Sequence, residues 1–309
     1  MKKNIYKKVL VLGATGFVGS YLINELLIKG YNVRCMIKYD DPKIIDLDSP
    51  NVETVRGDIR EYSSLLEASY GMDTVINLAA ILGDPNFQVN YDVHVIGTEN
   101  IIRACEKNSI SRVIAYSSIS AGRSTSSHYG ATKRESEKVL KNADVNFTII
   151  RPEMIYGLGS RGINKIIYQV KAYPFIIPIV GNGKIIRQPV FVKDIVRLTV
   201  DIINNPNSYG KILNVGGKDK IEMKVLIYMV MKHYKIKKIM LPIPNKVAIL
   251  IAFLVEKLIP HPPFTVDNMT GMTISTEFDY KKIEKNYGFQ SIDLHKGLKE
   301  TLTKIDECK

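Results

Sequence analysis

Six short apolar runs, "KVLVLG", "NVRCMIK", "VETVRGD", "DTVINLAA", "RVIAYSS" and "NFTIIRP", recur after helix-like stretches through the first half of the 309-residue chain. Strands that are apolar along nearly their whole length are buried on both faces, so this alternation predicts a parallel sheet covered by helices on each side. The expectation is an α/β protein whose first 155 residues form a doubly wound parallel sheet. After Arg151 the pattern loosens into loops such as "RPEMIYGLGSRG" and "YPFIIPIVGNGK", with helices near Val192 to Ile203 and Lys220 to Tyr234. Residues 156–309 are therefore read mainly as a smaller C-terminal substrate-binding lobe, some of whose segments return to the first domain. In doubly wound sheets ligands gather outside the carboxyl ends of the strands, and those ends here carry Gly13, Lys38, Asp58, Ala79, Ser118 and Arg151.

The first strand runs into "GATGFVG", with glycine at positions 13, 16 and 19, and then into a helix. Glycine at every third residue lets the backbone approach a bound group closely and leaves the first helical N–H groups pointing at an anion, an arrangement suited to a pyrophosphate. Taken alone, the same glycines could simply close a tight strand-to-helix turn. The second motif is "HYGATKRESEKVL", which places Tyr129 and Lys133 four residues apart on one face of a helix. A phenol with a pKa of roughly 10 is a weak acid or base at neutral pH, and a neighbouring cation brings that value down. By itself this spacing also describes many solvated helix faces.

Composition narrows the alternatives. No apolar run approaches the roughly 20 residues of a membrane-spanning helix. The start "MKKNIYKKVLVLGATG" imitates the basic region of a signal peptide, but its apolar stretch ends at once in glycines, and it is read as the first strand. Cys35, Cys105 and Cys308 are odd in number and far apart, which suggests neither a disulfide framework nor a metal site and fits a cytoplasmic location. The formal charge of +12 is dispersed without an aromatic and basic platform, so no nucleic-acid partner is expected. The Ser-rich "GRSTSSHYG" reads as a mobile surface loop beside the chemistry.

Together, "GATGFVG" and "YGATK", with "GDIRE", "NLAA", "GTENIIRAC", "AYSSIS", "RPEMIYG", "RQPVFVKD" and "LNVGG" in the same order, resemble the extended short-chain dehydrogenases/reductases, the NAD-dependent epimerase/dehydratase group. The resemblance covers nearly the whole chain and implies a Rossmann-like fold. It implies that Gly13, Gly16 and Gly19, with Phe17 and Val18 between them, cradle a dinucleotide pyrophosphate. Asp58 and Ile59 would border the adenine, Ala79 and Ala80 would line the cofactor channel, and Pro152 would abut the nicotinamide. Ser118 would hydrogen-bond the reacting oxygen, with Ser117 and Ser120 open as alternatives. Tyr129 would transfer the proton, while Lys133 would hold the ribose and tune the phenol. Arg187, in "RQPVFVKD", would meet a substrate diphosphate.

The cofactor is expected to be NAD(P). NADP(H) is favoured because Ile37 and Lys38 stand where NAD-preferring sites place a carboxylate, although Asp40 and Asp41 lie close by. The implied reaction is hydride transfer at a carbinol or ketone of a nucleotide-linked sugar, by a 4-keto reductase or a 4-epimerase that works as a homodimer. The competing reading is a non-catalytic dinucleotide-binding subunit or assembly factor resembling the respiratory-complex accessory subunit.

Three departures from the family pattern stand out. The stretch from Ser118 to Tyr129 is short, His94 replaces the usual Asn in "HVIGT", and "AYSSISAG" lacks the Asp-Glu pair of the dehydratases. His94 is expected to be a structural substitute, and dehydration is not expected. One stretch is left unexplained by composition, "PIPNKVAILIAFLVEKLIPHPP", apolar on every face from Val247 to Val255. Burial within the fold or a dimer is the leading expectation, and peripheral contact of the helix near 247–258 with the inner face of a membrane is the second.

Overall fold

A computed structural model describes residues 7–42, 49–82, 84, 86–123, 127–259, 262 and 264–308. The chain divides into two compact units. The first comprises Met1–Pro152, Ile195–Asn214 and Ile283–Phe289, and the second Glu153–Asp194, Val215–Lys282 and Gln290–Lys309.

In chain order the first unit opens with β1 (Lys8–Leu12), α1 (Phe17–Ile28), β2 (Asn32–Ile37), β3 (Val52–Arg56), α2 (Tyr62–Ser69) and β4 (Thr74–Asn77). Then come α3 (Phe87–Tyr91), a π-helical turn (Asp92–Ile96), α4 (Gly97–Lys107), β5 (Arg112–Tyr116), α5 (His128–Asn142) and β6 (Asn146–Pro152). After β6 the chain passes through β7 (Ile155–Tyr156), α6 (Arg161–Ala172), β8 (Ile176–Val180), β9 (Ile186–Arg187) and β10 (Val190–Phe191) of the second unit, and α7 (Val192–Asp201) and β11 (Lys211–Val215) lie mostly in the first. The chain continues through β12 (Ile221–Glu222), α8 (Met223–His233), β13 (Ile239–Ile243), α9 (Asn245–Leu258), α10 (Val266–Met272), α11 (Tyr280–Tyr287) and α12 (Leu294–Glu307).

Seven strands form one sheet in the order β11-β6-β5-β4-β1-β2-β3, and those from β3 to β6 pair in parallel. The winding reverses between β1 and β4, the position at which doubly wound sheets bind ligands. Val9 to Leu12 in β1 and Val113 and Ile114 in β5 are buried, as uniformly apolar central strands must be. Edge strand β3 instead exposes Glu53 and Arg56, charges that discourage pairing with another chain. Leu65 of α2, Ile101 and Cys105 of α4 and Leu140 of α5 fill the core against this sheet.

In the second unit the strands pair only two by two: β7 with β10, β9 with β12 and β8 with β13. Helix α6 buries Ile163, Ile166, Ile167 and Val170, a stripe at helical spacing. Helix α9 overturns the expectation of burial within the fold. It buries only Ala248 and Ala252, while Leu250, Leu254 and Leu258 are exposed. The reason is geometric: the two alanines lie four residues apart on one face, and that narrow small-residue stripe is the side that meets the rest of the unit.

Candidate active site

The three glycines at the exit of β1 have three separate jobs. Gly13 has φ of 79°, and a Cβ there would lie 2.9 Å from the Ala79 amide nitrogen, because the turn crosses the chain leaving β4. At Gly19 a Cβ would come within 2.4 Å of the Gly13 carbonyl, so only glycine lets the first turn of α1 press on the loop. Gly16 faces outward, where a Cβ would meet only the Gly13 oxygen at 3.2 Å. Gly16 is also the N-cap of α1, with no side-chain cap and no acidic residue in the first turn. Backbone donors at a helix start with no acidic residue in its own first turn fit the pyrophosphate of a dinucleotide.

Charges of both signs surround the neighbouring strand ends. Lys38 is exposed and lies 3.2 Å from Asp40. Thr15, inside the glycine turn, donates to Asp41 at 2.6 Å, and Arg56 donates to the carbonyls of Lys38 and Asp41. Arg34 is committed elsewhere, to Glu53 and to the carbonyls of Ala68 and Tyr70. Asp58 is buried and accepts from the Arg60 amide at 2.9 Å and from its guanidinium at 3.0 and 2.6 Å. Desolvation works against its charge, but the hydrogen bonds and charge of Arg60, aided by Lys38, hold the carboxyl below its ordinary value. Ile59 is buried beside Gly97, where a Cβ would lie 2.7 Å from its Cδ1. Asn100, which the sequence did not flag, pins this segment by donating to the carbonyls of Ile59 and Arg60. After β4 the Asn77 side chain accepts from the Ala79 amide at 3.0 Å, and Ala80 is exposed.

The candidate acid–base residues sit just after β5 and on α5. Of the three serines left open by the sequence, Ser117 is turned into the protein, donating to Glu137 at 2.5 Å. Ser118 stands at the strand's end, caps the short turn Ile119–Gly122 by accepting from the Ser120 amide, and lies 3.2 Å from the Ser120 hydroxyl. Helix α5 starts at a Ser127 N-cap, which accepts from the Gly130 amide. Gly130 lets that helix approach the turn, since a Cβ there would meet the Ser120 carbonyl at 3.0 Å. Ser124 to Ser126, the centre of the Ser-rich loop, lie outside the described residues.

Lys133 is buried and donates to the Tyr116 carbonyl at 3.0 Å. Desolvation lowers its ammonium to about 8 despite the opposing charge of Glu137. Tyr129 is partly exposed, and desolvation pushes its phenol above the ordinary value, the direction opposite to the one expected from a nearby lysine. Lys133 therefore presents a buried, adjustable cation rather than a solvated one.

His94 braces this arrangement. Its Nε2 accepts from the Ile81 amide at 3.4 Å, which leaves Nδ1 to donate to Thr132 Oγ1 at 2.9 Å. Its ring meets that of Tyr129 edge to face at 5.3 Å. Desolvation, reinforced by the charge of Lys133, lowers the imidazole to about 2, so it is neutral and links the chain after β4 to the first turn of α5. The residue lies in the π-helical turn, a local widening frequent at functional sites.

Glu137 was missed by the sequence reading. It is buried, accepts from Ser117 and from Arg151 Nε at 2.7 Å, and thereby ties α5 to the ends of β5 and β6. Its signal was its position four residues after Lys133, on the same helix face. Pro152, at the end of β6, is partly exposed. In the second unit Arg187 is buried, 3.4 Å from Glu153, and donates to the Gly271 carbonyl at 3.0 Å. Glu153 also accepts from Thr276 at 2.9 Å. Among the described residues no cluster of potential ligands suited to a metal ion is found.

Comparison with known proteins places this geometry. The chain is 28% identical to the N-acetyl-alpha-D-glucosaminyl-diphospho-ditrans,octacis-undecaprenol 4-epimerase of Escherichia coli O157:H7, over 95% of this chain and 94% of that protein. It is 29% identical to the mitochondrial NADH dehydrogenase [ubiquinone] 1 alpha subcomplex subunit 9 of Arabidopsis thaliana, over 92% of this chain and 73% of that one. The fold matches the crystal structure of UDP-glucuronic acid 4-epimerase from Bacillus cereus in complex with UDP-glucuronic acid and NAD. There the TM-score is 0.77 at 22% identity, with 98% of this chain and 100% of that one covered. The model of the NAD dependent epimerase/dehydratase family matches residues 9–216, two-thirds of the sequence, a span that includes the glycine turn, Ser118, Tyr129 and Lys133. By that match, this chain belongs to the NAD-dependent epimerase/dehydratase family.

Proposed function

We propose that the protein is a 4-epimerase acting on a diphosphate-linked sugar, with Tyr129 as its acid–base group. The observation that carries this reading is the joining of Ser118, Tyr129 and Lys133 to an uncapped glycine turn within one unit. The descriptions of the Escherichia coli and Bacillus cereus proteins as 4-epimerases favour epimerisation over net reduction. The backbone of the glycine turn holds the pyrophosphate, Asp58 and Ile59 border the adenine, and Ala79, Ala80 and Pro152 flank the nicotinamide end. A bound nicotinamide dinucleotide supplies the site that accepts and returns the hydride. Ser118 donates to the reacting oxygen. Tyr129 takes the hydroxyl proton as the carbinol becomes a ketone and returns it when the opposite face is reduced. Lys133 stabilises the phenolate during that exchange. Arg187 is assigned to the substrate diphosphate, with its fork shared with Glu153.

The test combines the mass spectrum of the nucleotide released from the purified protein with turnover of sugar diphosphates deuterated at C4. The expected result is retained NAD or NADP, conversion to the C4 epimer without added cofactor, and deuterium kept in the product. A requirement for stoichiometric NADPH would make the protein a 4-keto reductase. Retained nucleotide without turnover on either nucleotide- or polyprenyl-linked sugars would favour a non-catalytic subunit like the NADH dehydrogenase relative. Lys38→Asp is expected to move cofactor preference from NADP toward NAD, and an unchanged ratio would remove Lys38 from the adenosine ribose site.

A further inference from the structure

Helix α9 carries its large apolar side chains on the outside of the second unit. Val247, Leu250, Ile251, Phe253, Leu254 and Leu258 are between 41% and 79% exposed, while the side facing the unit is Ala248 and Ala252. At 100° per residue the exposed six fall on one arc of the helix, continuous along its length. The strand leading into it adds to the exposed apolar surface: Ile239 and Leu241 of β13 are exposed, and Ile239 pairs in register with Ile176 of β8, also exposed. An apolar arc running the length of a helix needs a cover.

The charges around the face select the cover. From Ile239 to Ile259, through β13 and α9, the chain holds two lysines, Lys246 and Lys257, and a single carboxylate, Glu256. Glu256 is turned from the apolar arc and accepts from the Val266 amide at 2.9 Å. Lys246 and Lys257 fall on the arc itself, between Phe253 and Leu250, and the Lys257 ammonium lies 4.5 Å from the centre of the Phe253 ring. A second copy of the same face would bring lysine against lysine and offer no carboxylate in return, since a two-fold interface pairs a patch with itself. A bilayer surface has no such conflict: leucine and phenylalanine enter the headgroup boundary while lysine stems lie along the apolar surface with their ammonium groups at anionic phosphates. The helix has 14 residues, too short at about 1.5 Å per residue to span a hydrocarbon core of roughly 30 Å, so a bilayer would meet it along its outer side. Among the described residues no helix is long and apolar enough to cross a membrane.

We propose that α9, with its flanking lysines, docks the protein on an anionic lipid bilayer surface. The proposal does not rest on the reaction assigned above, because binding to lipid is measured without turnover.

The experiment uses the full chain and vesicles of phosphatidylcholine with and without phosphatidylglycerol. The protein is expected to sediment with the anionic vesicles at low salt and to bind about tenfold more weakly once salt shortens the Debye length to a few ångströms. Leu250→Glu with Leu254→Glu should weaken binding by at least about tenfold while leaving the melting transition in place. If that double variant fails to fold, Lys246→Glu with Lys257→Glu supplies the comparison: it should lose binding to anionic vesicles, and unchanged binding would overturn the proposal. The chain contains no tryptophan, so Leu254→Trp provides a single reporter whose emission should shift to shorter wavelength on anionic vesicles. Tyr70→Trp, at a position 74% exposed in the first unit, should not shift. No binding by the parent protein, equal binding by the glutamate variant, or a glutamate variant whose sole effect is to dissociate a dimer would each overturn the proposal.

Discussion

Helices α5 and α9 invert each other. The sequence of α5, "HYGATKRESEKVLKN", is strongly polar, yet the helix buries Lys133, Glu137, Thr132 and Ser136. That of α9, "NKVAILIAFLVEKL", is almost wholly apolar, yet the helix buries two alanines and exposes its leucines. Both run against the ordinary preference of charged groups for water and of apolar groups for the interior. The difference lies in what meets each helix. The buried groups of α5 have partners: Ser117 and Arg151 for Glu137, the Tyr116 carbonyl for Lys133 and His94 for Thr132. The large apolar groups of α9 stay exposed among the described residues, and only its two alanines are buried. Departures from local preference concentrate where a fold does chemistry or meets another surface.

The largest expected effect is at α5. Tyr129→Phe should lower kcat by roughly 10²–10⁴-fold, the range for a lost acid–base group, with dinucleotide affinity unchanged because the ring still packs against His94. Assay and titration calorimetry on the same preparation check both parts, and retained turnover would take Tyr129 out of the mechanism.

Next comes the buried carboxylate. Glu137→Ala strips Arg151 of its ion pair inside the protein and should cost about 3–5 kcal/mol in urea denaturation. A loss below about 1 kcal/mol would mean that the pair behaves as a surface contact.

The third effect is pH dependent. Lys133 has a folded-state value of about 8 against an ordinary 10.5. Below pH 8 both states are protonated and the folded one carries the cost of the buried charge. Between about pH 8 and 10.5 the unfolded chain binds more protons, so stability rises with pH. The parent protein should gain on the order of 3 kcal/mol relative to Lys133→Met across that window, read from denaturation at a series of pH values. Parallel pH profiles would show that the ammonium is solvated.

The smallest effect sharpens the other side of the comparison. A single charge placed on the outer face of α9, Leu250→Glu, should change stability by no more than about 0.5 kcal/mol, as at other exposed positions. A loss of several kcal/mol would show that this face is covered within the protein after all.

The sequence by itself determined the doubly wound sheet, because strands apolar on both sides have few other solutions, and the glycine turn, because close backbone approach admits no side chain at Gly13 or Gly19. It also fixed the stacking of Tyr129 and Lys133, which follows from helical spacing alone. Tertiary structure decided what spacing leaves open. Glu137 meets Arg151 across 14 residues and Ser117 across 20, which turns Ser117 inward and leaves Ser118 and Ser120 together at the strand's open end. His94 reaches Thr132 across 38 residues and becomes a neutral brace, since burial fixes its protonation. Arg187 lies against Glu153, a partner 34 residues away that no local pattern reveals. The outer face of α9 was beyond the sequence for the same reason: hydropathy states that an apolar helix needs a cover, and only the packing of Ala248 and Ala252 shows which side the chain itself leaves bare.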